Sequence, residues 1–237
     1  MLQIHNLTKV YKGGKKAVDH LSLTILPGDI YGFIGHNGAG KTTTLKAVIG
    51  ILDFEEGDIK IDGISIQKDP LACKQKLAYI PDNPDLYEHL TGIQYLNFIA
   101  DLFALSKEER EKRINEYSNA FELTSYLGDL ISSYSHGMKQ KLAIISALIH
   151  EPKLLILDEP FVGLDPKATH TLKGLMQALC SRGSAIFFST HVLDVAEKLC
   201  NKIAIIKNGK LITCGETAKV IGNNNLENVF MELIEHE

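Results

Sequence analysis

No stretch of this sequence is apolar over the roughly 18 to 20 residues that span a bilayer, so any membrane function is expected to run through a partner. The opening segment, "MLQIHNLTKVYKGGKK", alternates and carries charge, which does not fit a signal peptide or an anchor. Cysteine is scarce: Cys73, Cys180, Cys200 and Cys214 are scattered with no C-x-x-C spacing. That pattern speaks against zinc and disulfides and for free thiols in a reducing compartment, so a cytoplasmic location is expected. A basic excess is also missing. With 25 Lys and Arg against 29 Asp and Glu, the net charge is -4. A nucleic-acid binder usually concentrates positive charge on one face, and no nucleic acid partner is expected. There is no internal repeat and no low-complexity linker.

What is present is enough chain for a core, 237 residues of which 45% are hydrophobic. "LQIHNL" and "HLSLTIL" alternate as half-buried antiparallel strands do. "DIYGFIG" runs into a glycine-rich loop, and "KTTTLKAVIG" continues as a helix ended by Gly50. "IKIDGISI" is strand-like, and Pro70 opens another short helix. From about Tyr87 to His150 helical periods replace these patterns, with Ser106 and Glu109 spaced as a capping box. After Pro152, "LLIL" and "AIFF" are wholly apolar, as strands buried on both faces of a parallel sheet should be. A crossover helix between them starts at Pro166 and is stopped by Gly183. "KIAIIKNGKLIT" is expected to be a hairpin turning at Asn208-Gly209, and "LENVFMELIE" a short amphipathic helix. The fold class implied is α/β.

Two loops carry chemistry. "GHNGAGKT" matches G-x-x-x-x-G-K-[ST] between a strand and a helix. Gly35, Gly38 and Gly40 let backbone N–H groups converge on phosphate oxygens, Lys41 reaches the terminal phosphates, and Thr42 offers a hydroxyl to Mg²⁺. "LLILDEP" brings Asp158 to the carboxyl end of a buried strand, where it can hold the hydration shell of Mg²⁺. Glu159, next to it, can address the water that attacks the γ-phosphate. Binding and hydrolysis of a nucleoside triphosphate are therefore expected.

With these elements in this order, the chain resembles the ATP-binding subunit of an ATP-binding cassette (ABC) transporter over nearly its whole length. It is most similar to the ABC-2 or bacterial exporter type. The resemblance implies a P-loop NTPase core (residues 1–84 and 151–237) with a mainly parallel sheet flanked by helices and an N-terminal antiparallel β part. An inserted α-helical subdomain, 85–150, would carry the signature loop "YSHGMKQKL". Together they make one ATP-binding domain over 1–237. Family roles then fall on Gly35, His36, Asn37, Gly38, Ala39, Gly40, Lys41, Thr42 and Thr43 as the phosphate loop. Ser135 and Gly137 would bind the ATP held by a second copy, a reading that suits a hydroxyl and a bare N–H at a helix start. Tyr11 would stack on adenine, although sheet packing is open to it from the residues alone. Asp165, in "GLDP", would lie at the interface between copies. Glu159, His191 and Lys41 form the catalytic set, and Thr42, Asp158 and Asp82 the Mg²⁺ set.

Three positions depart from the family pattern. His136 replaces a signature glycine, Tyr134 the leading leucine, and Asp82 a glutamine. The expected cofactors are ATP and Mg²⁺. The expected partners are an integral-membrane permease and a second ATP-binding subunit, as a homodimer on the cytoplasmic face of the membrane. A non-transport cassette acting as a soluble scaffold or assembly factor stands beside that reading.

Overall fold

A computed structural model describes residues 1–235. Alternation in the first 25 residues produces β1 (Leu2–Val10) and β2 (Lys16–Ile25), antiparallel with Leu2 opposite Ile25. The alternation breaks at Asn6, where φ is 48° and the register shifts, so Leu7, Thr8 and Lys9 are buried in succession. β3 (Ile30–Ile34) is buried at all five positions and leads through the glycine loop into α1 (Lys41–Val48). β4 (Glu56–Ile61) and β5 (Ile64–Ser65) form a hairpin, and α2 (Pro70–Lys74) starts at Pro70 with Asp69 as its cap. β6 (Leu77–Ile80) follows; its four residues carry no alternation by which sequence could place it.

Next come α3 (Gly92–Leu102), α4 (Lys107–Ala120) and α5 (His136–Leu148). The capping box expected from Ser106 and Glu109 is formed, and Thr91 with Gln94 makes a second one that starts α3. The chain returns as β7 (Leu154–Asp158), α6 (Pro166–Ser181), β8 (Ala185–Thr190) and α7 (Leu193–Leu199). It finishes with β9 (Lys202–Lys207), β10 (Lys210–Glu216), α8 (Thr217–Ile221) and α9 (Leu226–Glu235). Asn208 and Gly209 both have positive φ, as the tight turn between β9 and β10 requires.

Two sheets result. One is four-stranded and antiparallel, in the order β2-β1-β4-β5; the other runs β10-β9-β3-β8-β7-β6 and is parallel except for β10. The α/β expectation is met. Apolar residues alternate across the larger sheet: Leu154 and Ile156 join a cluster with the first sheet and α1, while Leu155 and Leu157 join one with the helices. The helices of 85–150 have no separate core. Leu96, Ile114, Tyr117 and the body of α5 lie in one cluster with β7 and β8. The carboxyl ends of β3, β8 and β7 thus come side by side, each with its following loop on the same edge.

His150 helps join the helical segment to the sheet. Its ring stacks on Phe103 at 3.7 Å and 9°, and Nε2 lies 3.4 Å from the Leu77 carbonyl. Nearby, Arg113 donates to the Ile149 carbonyl at 2.9 Å and pairs with Glu151 at 2.9 Å. Burial, with Arg113 adding to it, lowers the His150 pKa from 6.5 to about 4. The folded chain holds this ring neutral while the unfolded chain protonates it below about 6.5, so stability falls as pH drops from there toward about 4. Between pH 7 and pH 5 this should remove about 2 kcal/mol. Urea unfolding of His150→Phe should show that component gone; an unchanged pH slope would contradict it.

Candidate functional site

The turn from β3 into α1 is built by backbone that only glycine accommodates. Gly40 caps α1 at φ 110°, and a Cβ there would sit 2.4 Å from the Ala17 carbonyl. Gly38, at φ 81°, faces open space instead, which leaves its backbone free to approach a ligand. Lys41 opens the helix and is almost wholly buried, with Nζ donating to the carbonyls of Gly35 at 2.7 Å and His36 at 3.3 Å. An ammonium held on backbone carbonyls beside an open cavity is suited to a triphosphate, whose oxygens are stronger acceptors. His36 is exposed, its Nδ1 turned to the Asn37 carbonyl at 2.7 Å, and Ala39 is buried beneath the loop.

A cavity of about 340 Å³ lies over this loop. Of the residues singled out above, Tyr11, Asn37, Gly38, Gly40, Lys41, Thr42, Thr43, Asp82, Asp158 and Glu159 line it together. Lys15 and Ala17 also line it, which sequence reasoning missed. Tyr11 stands at its edge 43% exposed, with its hydroxyl 3.3 Å from Thr43 Oγ1. Lys9 Nζ lies 5.9 Å from the centre of its ring.

β7 delivers Asp158 to the cavity 2% exposed, and the strand pairing puts Ser189 of β8 directly opposite. Ser189 Oγ donates to Asp158 Oδ1 at 2.5 Å. Glu159 then leaves the strand at φ 48°, a left-handed turn costly for a residue with a side chain. Its N–H donates to both Ser189 Oγ (3.1 Å) and Ser189 O (3.2 Å). The turn sends the carboxylate back over the loop: Oε2 meets His191 Nδ1 at 3.0 Å, and Oε1 lies 3.6 Å from Lys41 Nζ. Glu159 Oε1 is buried and has no hydrogen-bond partner. That oxygen's charge is met by the Lys41 ammonium at the cavity wall.

Magnesium fits the same edge. Among the described residues no three His, Cys, Asp or Glu side chains converge as a metal cage. Mg²⁺ is ordinarily held by one or two carboxylates, phosphate oxygens and water, and Asp158, Asp82 and the exposed Thr42 line the cavity together with that chemistry.

Ser135, Gly137 and Asp165 do not line the cavity. Ser135 caps α5, its Oγ accepting from the Met138 N–H at 3.3 Å. The His136 ring lies over Gly163, where a Cβ would come within 2.6 Å of Cδ2, and a Cβ on Gly137 would be 3.0 Å from the Gly163 carbonyl. Asp165 caps α6 through the Ala168 N–H at 2.8 Å and pairs with Lys141 at 2.8 Å, which holds its carboxyl below the usual range. Thus the start of α5 is fastened to the loop after Glu159 at two points, His136 on Gly163 and Lys141 on Asp165. Tyr134, in the leucine position, is buried, and its hydroxyl donates to the Tyr126 carbonyl at 2.6 Å.

This fold and cavity define a P-loop nucleoside triphosphatase with a helical segment between β6 and β7. The model of the family described as "ABC transporter" matches residues 18–162, and the chain belongs to that family. It is 36% identical to the "ABC-type transporter ATP-binding protein EcsA" of Bacillus subtilis (strain 168), over 100% of this chain and 98% of that one. A solved "ATP binding subunit of ABC transporter" superposes with a TM-score of 0.95 at 34% identity, covering 99% of both chains. The dimeric post-hydrolysis ATP-binding cassette MJ0796, bound to ADP and Pi, superposes at 0.84 with 26% identity, covering 92% of this chain and 99% of that one. The chain is an ATP hydrolase of this family.

The signature turn depends on a tight fit between Tyr134 and α3. A Cβ at Gly92 would lie 2.3 Å from Tyr134 Oη. Gly92→Ala should therefore cost about 1–3 kcal/mol by overpacking, and Tyr134→Phe about 1 kcal/mol by orphaning the Tyr126 carbonyl. In the double variant the alanine should cost clearly less, because the obstructing hydroxyl is gone. Strictly additive losses in urea unfolding would contradict this contact.

Proposed function

We propose that this chain is the ATP-hydrolysing motor subunit of a membrane transporter, working as two copies that close head to tail on two ATP molecules. One observation carries the reading. Tyr11, Lys41, Thr42, Asp158 and Glu159 share a cavity, whereas the Ser135–Gly137 helix start lies outside it on the same chain. In the closed pair, Ser135 and Gly137 of one copy would face the ATP held by Lys41 of the other. The dimeric ADP- and Pi-bound cassette that superposes on this chain supports such an assembly.

In the reaction, Lys41 transfers its hydrogen bonds from the loop carbonyls to the terminal phosphates. Glu159 orients the attacking water and takes its proton on Oε1, the oxygen that makes no hydrogen bond within the chain. His191 holds the other oxygen through Nδ1, which keeps that carboxylate from rotating away. Thr42, Asp158 and Asp82 would hold Mg²⁺, which would supply charge neutralisation at the phosphates. Free energy enters as differential binding: ATP touches both copies, ADP holds only one of them well.

No helix among the described residues is long and apolar enough to cross a membrane, and a separate permease would provide the path, with this chain bound at the cytoplasmic face. Segment 85–150 would transmit the motion. It exposes an aromatic group, Tyr87 with its ring 5.7 Å from Phe98, whose half-exposed rings suit a protein partner. The resemblance to exporter-type cassettes favours export.

Glu159→Gln should retain ATP binding, lose about 10²–10⁴-fold in hydrolysis, and run as a dimer in gel filtration with ATP and magnesium. Hydrolysis at the parental rate would remove Glu159 as the base. Lys41→Ala should abolish ATP binding in equilibrium dialysis; undiminished affinity would overturn the phosphate-loop assignment. Co-purification of the chain with a multi-span protein separates a transporter from a scaffold.

A further inference from the structure

β8 is buried at every one of its six positions, yet it ends Ser189-Thr190 in a run that is otherwise alanine, isoleucine and phenylalanine. Ser189 is 0% exposed, at the centre of a parallel sheet between β3 and β7. A hydroxyl placed there costs stability unless it is bonded. Ser189 is bonded twice, and both partners belong to acidic residues of the site, Asp158 and Glu159. It donates to Asp158 Oδ1 at 2.5 Å and accepts from the Glu159 N–H at 3.1 Å.

Each bond does something a packing residue cannot do. With Oδ1 engaged by Ser189, rotation of the Asp158 carboxylate is restrained where that residue lines the cavity. The second bond holds the amide of a residue in left-handed backbone, φ 48°, the turn that brings the Glu159 carboxylate to Lys41 and His191. Because the same oxygen donates to one acid and accepts from the next, the two bonds reinforce each other. We propose that Ser189 is a positioning residue for ATP hydrolysis, its hydroxyl setting Asp158 on the cation side and Glu159 on the water side in fixed mutual geometry. The proposal rests on the ATPase reading above and goes beyond it by naming a group that touches neither nucleotide nor water.

The test compares Ser189→Thr with Ser189→Val in the full chain. These two side chains have nearly the same volume and differ in the hydroxyl alone. Thr should keep kcat within about threefold of the parent. Val should lose about 10–100-fold in kcat, the range for removing a partner that orients a ligand, with KM for ATP changed by less than about threefold. A second readout does not depend on turnover. In a Glu159→Gln background, the Mg²⁺ concentration that half-saturates ATP-driven dimerisation should rise about tenfold with Val and stay put with Thr. Ser189→Ala, which asks for no extra room, should follow Val in both measurements, and circular dichroism verifies that each variant is folded. Equal losses in Thr and Val, or parental kcat and Mg²⁺ dependence in Val and Ala, would overturn the proposal while leaving the ATPase reading intact. A parental chain with no ATP hydrolysis would overturn that reading and this one with it.

Discussion

The register between β7 and β8 is the constraint on which the rest of the molecule depends. It sets Asp158 opposite Ser189, at the carboxyl ends of two strands buried on both faces. A slip of one residue would turn every side chain of β7 to the other face, exchanging Leu155 and Leu157 with Leu154 and Ile156 between two separately packed cores. That slip would also take Asp158 away from Ser189, its hydrogen-bond donor. The hydrophobic layers therefore fix the position of the acidic pair, and the left-handed turn at Glu159 converts a strand end into a reach across the phosphate loop.

The second consequence is incompleteness. One chain supplies a phosphate loop, three carboxylates and an aromatic edge around one cavity, with His191 bonded to one of those carboxylates, while the donor-rich start of α5 lies outside it. Its fastening to Gly163 and Asp165 ties that helix start to the loop that leaves Glu159. In the proposed pair, a ligand seated on the helix start of one copy would press on the segment next to that copy's own Glu159, and closure on ATP and opening after hydrolysis would follow if the same contacts bind triphosphate better than diphosphate. His136 has a plain structural place in this joint, since its ring occupies the space left by the bare Cα of Gly163.

Much of this was legible in the residues. The glycine loop, the apolar strands "LLIL" and "AIFF", the cap at Ser106 and the Asn208-Gly209 turn each encode their geometry locally, and each forms as expected. β6 was not legible, because a four-residue strand gains its identity from the neighbour it pairs with, Leu77 opposite Leu154. The bulge at Asn6 was hidden for a similar reason: alternation was visible, its interruption was not. At the site, the residues alone leave Tyr11 open between packing and stacking, and the structure adds its exposure at the cavity edge. Ser189 left one signal, a hydroxyl in a strand with no other reason to be polar. Its two bonds span a gap of about thirty residues, which no local pattern records.

A catalytic site completed by a second molecule makes ATP hydrolysis per chain depend on concentration, which is read with saturating ATP and magnesium as the chain is diluted. If two copies share each site, the rate per chain falls with dilution and approaches zero once pairing is lost. A rate per chain that stays constant down to concentrations where only monomer is found would contradict it.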